Sequence, residues 1–86
     1  MPAYIIEWTR AATKGLEALS KPDRLRILAA VDDLAENPRG SNVKTLQGDD
    51  RLLRRRVGDN RIIFMIEDAR LVVVIVRVAN RREVYR

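Results

Sequence analysis

Arginine is the residue type through which this sequence could do chemistry. Residues 51–86 carry ten basic side chains, all arginine, and four acidic ones, whereas residues 1–50 carry seven basic and eight acidic side chains. The planar guanidinium matches phosphate and carboxylate groups and stacks on nucleobases, so an arginine patch predicts an anionic partner such as a nucleic acid. The alternative is a solvated face that only reflects an arginine-rich composition. Placement of the arginines on a single sheet face favours the functional interpretation.

A predicted hairpin brings several of these arginines together. Gly58-Asp59 separates two runs of strand-forming residues, which is typical of a two-residue turn. With that turn, Arg56 pairs with Arg61 and Arg54 pairs with Ile63. Because directly paired side chains share a face, Arg54, Arg56 and Arg61 are predicted to converge on one side of the sheet.

A third strand from Leu71 onward completes a predicted meander. We expect its all-valine face to be buried together with the apolar face of the second strand. The residues expected on these buried faces are Val72, Val74, Val76 and Val78, with Ile62, Phe64 and Ile66. Arg77, and Arg81 if the alternation continues, then join the arginine face. An exposed apolar patch among the arginines predicts a protein partner, or else packing beneath residues 37–50 or a chain terminus. The patch is predicted to hold Ile63, Met65, Val73 and Ile75.

A short strand over residues 4–8 and two helices precede the meander. Thr9 is a predicted helix N-cap, Ser20 caps a second helix, and Gly15 weakens the first helix or permits close packing against it. The predicted apolar stripes are Ala12, Leu16 and Leu19 in the first helix, and Ile27, Leu28, Val31, Leu34 and Ala35 in the second. Residues 37–50 lack periodicity and predict a connection across the sheet, anchored by Val43 and Leu46.

These elements predict one α+β domain over residues 1–86 with the order β-α-α-β-β-β. The two-helix hairpin packs on one face of a mainly antiparallel sheet. The 86 residues contain no cysteine and no histidine, which excludes disulfides, thiol nucleophiles, imidazole catalysis and the usual zinc sites among them. We expect no metal and no cofactor. No run approaches the roughly 20 apolar residues of a membrane span, so a cytoplasmic protein with no membrane contact is expected.

Two segments carry a resemblance to a known family. The hairpin Arg-Val-Gly-Asp-x-Arg-Ile-Ile-Phe and the terminal Asn-Arg-Arg-Glu-Val-Tyr-Arg, together with the order of elements, resemble the RelE/ParE superfamily of bacterial toxins from type II toxin–antitoxin pairs. The resemblance covers essentially the whole chain and is strongest in residues 52–86. The terminal motif resembles the RelE branch more than the gyrase-poisoning ParE branch.

The resemblance implies a ribosome-dependent endoribonuclease that cuts messenger RNA in the decoding site. In RelE-like toxins the ribose 2′-hydroxyl attacks the adjacent phosphate without a metal and leaves a cyclic phosphate. The implied partners are mRNA on the ribosome and a small acidic or amphipathic cognate antitoxin, with DNA contacted only indirectly through the antitoxin complex. Two alternatives remain: a ParE-like toxin that acts on DNA gyrase without nuclease activity, or an inactive homologue kept as an antitoxin partner or co-repressor.

The resemblance also implies roles for individual residues. The implied catalytic residues are Arg61, Arg81 and Tyr85, and the residues expected to bind RNA are Arg54, Arg56, Arg77 and Arg82. Phosphoryl transfer places negative charge on the phosphate oxygens, which arginines can stabilise. Tyr85 could stack on a base or transfer a proton. Arginine is a poor base, so the proton-transfer group is not assigned.

Three positions depart from the expected pattern. Asn80 stands where many relatives have histidine or lysine, and Asn60 stands where an aromatic residue is common. Arg55 is predicted by alternation to face the helices, where an aliphatic residue is expected. Its guanidinium then reaches water at the sheet edge, or the strand is bulged there.

Overall fold

The computed structural model of the chain describes residues 3–80, in which two helices cover one face of a five-stranded sheet. The elements are β1 (Ile5–Trp8), α1 (Arg10–Glu17), α2 (Lys21–Glu36), β2 (Val43–Leu46), β3 (Asp49–Val57), β4 (Asn60–Glu67) and β5 (Val72–Asn80). The strand order is β1-β5-β4-β3-β2, with β1 parallel to β5 and every other neighbouring pair antiparallel. The predicted α+β architecture is confirmed, with one strand more than expected.

The additional strand is β2, which lies where the sequence predicted an irregular connection. Val43 pairs with Arg55 and Lys44 with Arg54, and the register shifts between Thr45 and Leu46. The segment has no strict alternation, so its strand conformation comes from hydrogen bonding to β3 rather than from local pattern. Val43 packs against the core, as expected of an anchor.

Both helices begin where their caps predict. The Thr9 hydroxyl accepts a hydrogen bond from the Ala12 N–H at 3.0 Å, and the Ser20 hydroxyl accepts one from Asp23 N–H at 3.4 Å. The stripe predicted for α2 is largely buried, but Leu28 is 41% exposed. Ala30, which was not part of the predicted stripe, is buried.

Gly15 marks the closest approach of α1 to the sheet. A Cβ atom built on Gly15 would lie 2.0 Å from the carbonyl oxygen of Val78 in β5. No side chain fits in that space, so the glycine is required by packing despite its cost to helix stability.

The prediction of which β5 residues face the helices is wrong before Val76 and right after it, although Val72 is buried as predicted, at 4% exposure. Phe64 pairs with Ile75 and Ile63 pairs with Arg77, so Val76 is an extra residue that forms a β-bulge. Ahead of the bulge, Val73 and Ile75 face the helices and are fully buried. After the bulge, Val78 faces the helices and is 3% exposed. The core cluster consists of Ala12, Ile27, Ala30, Val31, Leu34, Ile62, Phe64, Val73, Ile75 and Val78.

The predicted exposed apolar patch is also wrong. Val73 and Ile75 are fully buried against the helices, and Ile63, which does lie on the arginine face, is only 7% exposed. Met65 is partly buried on that face. The bulge removes two of the four expected residues from the face, so the arginines do not surround an apolar surface.

Candidate functional site

The sheet face opposite the helices carries two rows of basic residues. In the first row Lys44, Arg54, Ile63 and Arg77 pair across β2, β3, β4 and β5. In the second row Arg56 pairs with Arg61, which pairs with Ala79. We call these five basic residues the cationic face; they are Lys44, Arg54, Arg56, Arg61 and Arg77. The predicted convergence of the hairpin arginines and Arg77 on one side is present.

Two cross-strand pairs on the cationic face join like charges. Lys44 lies directly opposite Arg54, and Arg56 lies directly opposite Arg61. Like charges at directly opposed sheet positions are destabilising, because the paired Cβ atoms are only about 5 Å apart. The rows contain no acidic residue that would relieve the repulsion. The arrangement therefore favours binding of an anion over stability of the free protein.

A depression of ≈ 260 Å³ lies at the end of the cationic face nearest the β3–β4 hairpin. It is lined by Ser41, Asn42, Lys44, Arg54, Arg56 and Arg61. Arg61 is only 6% exposed, whereas Arg56 is exposed and Arg54 is half-buried. A buried guanidinium beside more accessible ones can hold a phosphate group by charge-assisted hydrogen bonds.

The turn between β3 and β4 sets this geometry. Gly58 has φ +61°, a conformation that glycine adopts without steric cost, and it is the first of the two central turn residues. The turn fixes Val57 opposite Asn60, and thereby Arg56 opposite Arg61. The hairpin register predicted from Gly58-Asp59 is confirmed.

Some basic residues outside the cationic face are paired with carboxylates. Arg39 pairs with Asp68 at 2.7 Å, and Arg70 contacts both Glu7, at 3.1 Å, and Glu67. By contrast, within residues 3–80 four members of the cationic face form no ion pair with a carboxylate; they are Lys44, Arg54, Arg56 and Arg77. Within the described part of the chain, the charges of these four residues are therefore not neutralised by a carboxylate.

Exposed side chains around Asp68, at the end of β4, form a hydrogen-bonded cluster. Asp68 accepts two hydrogen bonds from Arg39, at 3.0 and 2.7 Å, and one from the Tyr4 hydroxyl at 2.9 Å. These bonds lower the pKa of Asp68 and raise the pKa of Arg39. The pKa of Arg70 is likewise raised, first by its hydrogen bond to Glu67. The cluster joins three places in the fold: the residue before β1, the 3₁₀ turn Asp68–Arg70, and the segment that follows α2.

Arg55 faces the helices, as alternation predicted. Its guanidinium is bonded to groups of α2 instead of extending into water. Its Nη1 donates to the Ala30 carbonyl at 2.9 Å, and its Nη2 lies 3.3 Å from Asp33 Oδ2. The side chain is 17% exposed. Arg55 therefore fastens β3 to α2 and is separated by the sheet from its neighbours Arg54 and Arg56.

Several predicted site residues lie outside the described part of the chain. They are Arg81, Arg82 and Tyr85. The two asparagines noted in the sequence are described: Asn60 is 3% exposed, and the Asn80 side-chain amide donates to Asn60 Oδ1 at 3.5 Å. They pair across β4 and β5 beside Arg61 and Ala79, so the asparagines stabilise the sheet next to the site.

Sequence reasoning missed Lys44, Ser41 and Asn42 as parts of the site. The reason is that residues 37–50 lack periodicity, which predicts a connection without regular structure. The only local signal was the pair of β-branched residues Val43 and Thr45 flanking Lys44, which is weak evidence for a strand. The pairing of Lys44 with Arg54 identifies it once β2 is known.

Comparison with known proteins gives the family. Residues 6–85 match the family described as the ParE toxin of the type II toxin–antitoxin system parDE. The chain belongs to this toxin family. No curated protein sequence matches the chain. The solved structures similar to it include RelE complexes, so the chain is a toxin of the RelE/ParE superfamily, as the resemblance in the hairpin predicted.

Three solved structures illustrate the likeness of this RelE/ParE toxin to others. The toxin–antitoxin complex RelBE2 from Mycobacterium tuberculosis matches at 32% identity and TM-score 0.72, covering 94% of this chain and 100% of that chain. The archaeal RelE–RelB complex from Pyrococcus horikoshii matches at 27% identity and TM-score 0.79, covering 92% and 96%. The isolated RelE toxin of Escherichia coli, at 24% identity and TM-score 0.78 over 96% and 92%, shows the shared fold.

The described part of the toxin offers neither a membrane-spanning helix nor an acidic metal-binding cluster. Among residues 3–80, neither helix is long and apolar enough to cross a membrane. The same residues bring together no group of three or more acidic side chains that could hold a metal ion.

Proposed function

We propose that this toxin cleaves messenger RNA on the ribosome and is neutralised by a cognate antitoxin. The observation that carries the proposal is the cationic face, where like charges are paired across strands around a ≈ 260 Å³ depression. Such a face suits a polyanion whose phosphates approach from solvent. Similarity to RelE proteins over nearly the whole chain supports RNA as that polyanion.

The proposed chemistry is transfer of a phosphoryl group within the RNA chain. The ribose 2′-hydroxyl loses its proton and attacks the adjacent phosphorus, the bond to the 5′ oxygen breaks, and that oxygen is protonated. The products are a 2′,3′-cyclic phosphate and a 5′-hydroxyl end. Arg61, buried at the edge of the depression, stabilises the negative charge that develops on the phosphate oxygens. Arg54 and Arg56 hold the flanking backbone.

The remaining roles are assigned to residues beyond the described part of the chain and to Arg77. Arg81 is proposed as a second stabiliser of the phosphate charge, and Tyr85 as the group that stacks on a base or transfers a proton. Arg77 and Arg82 contact the RNA backbone in this proposal. Arg77 is exposed on the cationic face in line with Arg54, which supports its part of the assignment.

Dependence on the ribosome follows from size and from the openness of the site. The described part of the chain measures only 32 × 29 × 25 Å. A cationic face of five residues holds RNA mainly through nonspecific charge, and such binding does not by itself orient a 2′-hydroxyl for in-line attack. The ribosome would supply the ordered mRNA segment that this face then contacts.

The proposed antitoxin is an acidic or amphipathic protein that covers the cationic face. Structures similar to this toxin include complexes of RelE with RelB. An acidic segment would neutralise the charge of the cationic face and exclude RNA from the same surface, because complementary charge both speeds association and fixes orientation. Contact with DNA would be indirect, through this complex.

Primer extension on mRNA from translating ribosomes tests the proposed activity. Purified toxin should create new 5′ ends at intervals set by codons, and omission of ribosomes should abolish them. Arg61→Ala should remove the cleavage. Arg10→Ala, an exposed arginine on the helical side of the molecule, is the matched control and should cleave like the parent protein. Intact mRNA with folded parent protein would overturn the proposal.

A second candidate function is inhibition of DNA gyrase without nuclease activity. The match over residues 6–85 to the ParE toxin family favours it. In that case the cationic face would serve contact with a macromolecular target rather than chemistry. Inhibition of gyrase supercoiling by the same preparation, with mRNA left intact, would support this candidate over the nuclease.

A further inference from the structure

The β-bulge at Val76 decides which residues of β5 reach the cationic face. Ahead of the bulge, the odd-numbered residues Val73 and Ile75 face the helices. A regular strand would continue this alternation and turn Arg77 toward the core, with Val78 outward. The extra residue reverses the alternation, so that Arg77 is exposed and Val78 is only 3% exposed.

One side chain from another element is bonded to the bulge. The Thr9 hydroxyl donates a hydrogen bond to the Val76 carbonyl at 2.6 Å, and the Thr9 N–H donates to the Ile75 carbonyl at 3.0 Å. The same hydroxyl oxygen accepts from the Ala12 N–H at 3.0 Å as the cap of α1. The extra residue of a bulge lacks a regular ladder partner, and this contact supplies the Val76 carbonyl with a hydrogen-bond donor from outside the sheet.

We propose that Thr9 is a positioning residue that fixes the Val76 bulge and thereby holds Arg77 on the cationic face. Thr9 connects the start of α1 to the point where the alternation of β5 reverses. Gly15 lies about one and a half helical turns after Thr9. Because it has no Cβ, α1 can pack directly against Val78, on the other side of the bulge. The contact between Arg77 and RNA rests on the proposed function, whereas the effect of Thr9 on strand register does not.

The chain contains no cysteine, so an introduced thiol reports the register directly. In separate proteins, Arg77→Cys and Val78→Cys are each treated with a thiol reagent under native conditions. With Thr9 present, the thiol at position 77 should react rapidly and the thiol at position 78 slowly, matching their exposure. The thiol introduced by Arg54→Cys, on the neighbouring strand, is the control for global unfolding.

Three replacements of Thr9 separate the bond to the bulge from the helix cap. Thr9→Ser keeps both the donor and the acceptor and should preserve the reactivity pattern. Thr9→Asp keeps the acceptor for the helix cap, but an ionised carboxylate has no proton to donate to the Val76 carbonyl. Thr9→Val keeps only the shape. Both Thr9→Asp and Thr9→Val should slow the thiol at position 77 and accelerate the thiol at position 78.

RNA binding provides the second readout. If Thr9 acts through Arg77, Thr9→Asp should weaken binding of single-stranded RNA by the same factor as Arg77→Ala, and the double variant should bind no more weakly than either single one. Independent effects would instead multiply.

The outcomes distinguish this proposal from the proposed function. Unchanged thiol reactivity in Thr9→Asp and Thr9→Val, or RNA effects that multiply, would overturn the positioning role. A thiol pattern that depends on Thr9, in a protein that neither binds nor cleaves RNA, would uphold the positioning role and overturn the nuclease. Faster reaction at all three labelled positions would show simple destabilisation and count against the proposal.

Discussion

The salt dependence of RNA binding is the sharpest quantitative consequence of the cationic face. Binding of a single strand releases roughly 0.7 counterions for each phosphate that a cation neutralises, so the affinity falls linearly with salt on a logarithmic plot. If all five residues of the cationic face contact phosphates, the slope of log affinity against log salt concentration should be about −3.5. Between 50 and 200 mM salt, affinity should then fall about 100-fold.

Removal of one cation should change this slope by a fixed amount. Arg54→Gln keeps a long polar side chain without the charge and should reduce the slope to about −2.8, and Arg56→Gln should do the same. The assay is fluorescence anisotropy of a labelled 2′-O-methyl RNA, which lacks the attacking hydroxyl and remains intact. Arg10→Gln is the matched control on the helical side and should leave the slope unchanged. Equal loss of slope in Arg10→Gln and Arg54→Gln would refute a localised site.

Three further predictions concern packing, the inward arginine and pH. Gly15→Ala should destabilise the protein by about 1–3 kcal/mol in urea unfolding, because the new Cβ at 2.0 Å from the Val78 carbonyl outweighs the helix propensity of alanine; a stabilised variant would contradict the packing of α1. Arg55→Met should lower stability by roughly 1–2 kcal/mol through loss of its bond to Ala30, yet leave the RNA salt slope unchanged, since Arg55 faces the helices. Asp68→Asn should be less stable than the parent protein at neutral pH, because the pKa of Asp68 is lowered in the folded state. The stabilisation by the carboxylate is present above about pH 4 and disappears as the pH falls through the folded pKa. A difference between the two proteins that persisted undiminished at the lowest pH would exclude the carboxylate as its source.

The parts of the fold that the sequence predicted are those governed by short-range chemistry. Gly58-Asp59 determines the hairpin register without reference to the rest of the chain, and Thr9 and Ser20 mark both helix starts. These signals were enough to place Arg54, Arg56 and Arg61 on one face. They require only the geometry of a turn or a cap.

The parts that the sequence did not predict depend on distant partners. Five consecutive β-branched residues, 72–76, offer two apolar faces, so periodicity alone cannot choose which one is buried. The bulge determines which face is buried, and its Val76 carbonyl is bonded to the Thr9 hydroxyl, 67 positions away in the chain. β2 was missed for a similar reason, since only its pairing with β3 makes Lys44 part of the site.

The two faces of β3 show how the molecule combines stability with a charged surface. Consecutive residues Arg54, Arg55 and Arg56 are chemically identical but alternate between the two sides of the strand. The inward arginine has its charge matched by Asp33 and a helix carbonyl, and so contributes to packing. Within residues 3–80 the outward Arg54 and Arg56 form no ion pair with a carboxylate. They lie opposite Lys44 and Arg61, respectively, and this pairing of like charges costs stability in the free protein. An anionic partner relieves this repulsion only while bound, so RNA and an acidic antitoxin segment would each stabilise the fold through the same residues and would exclude one another.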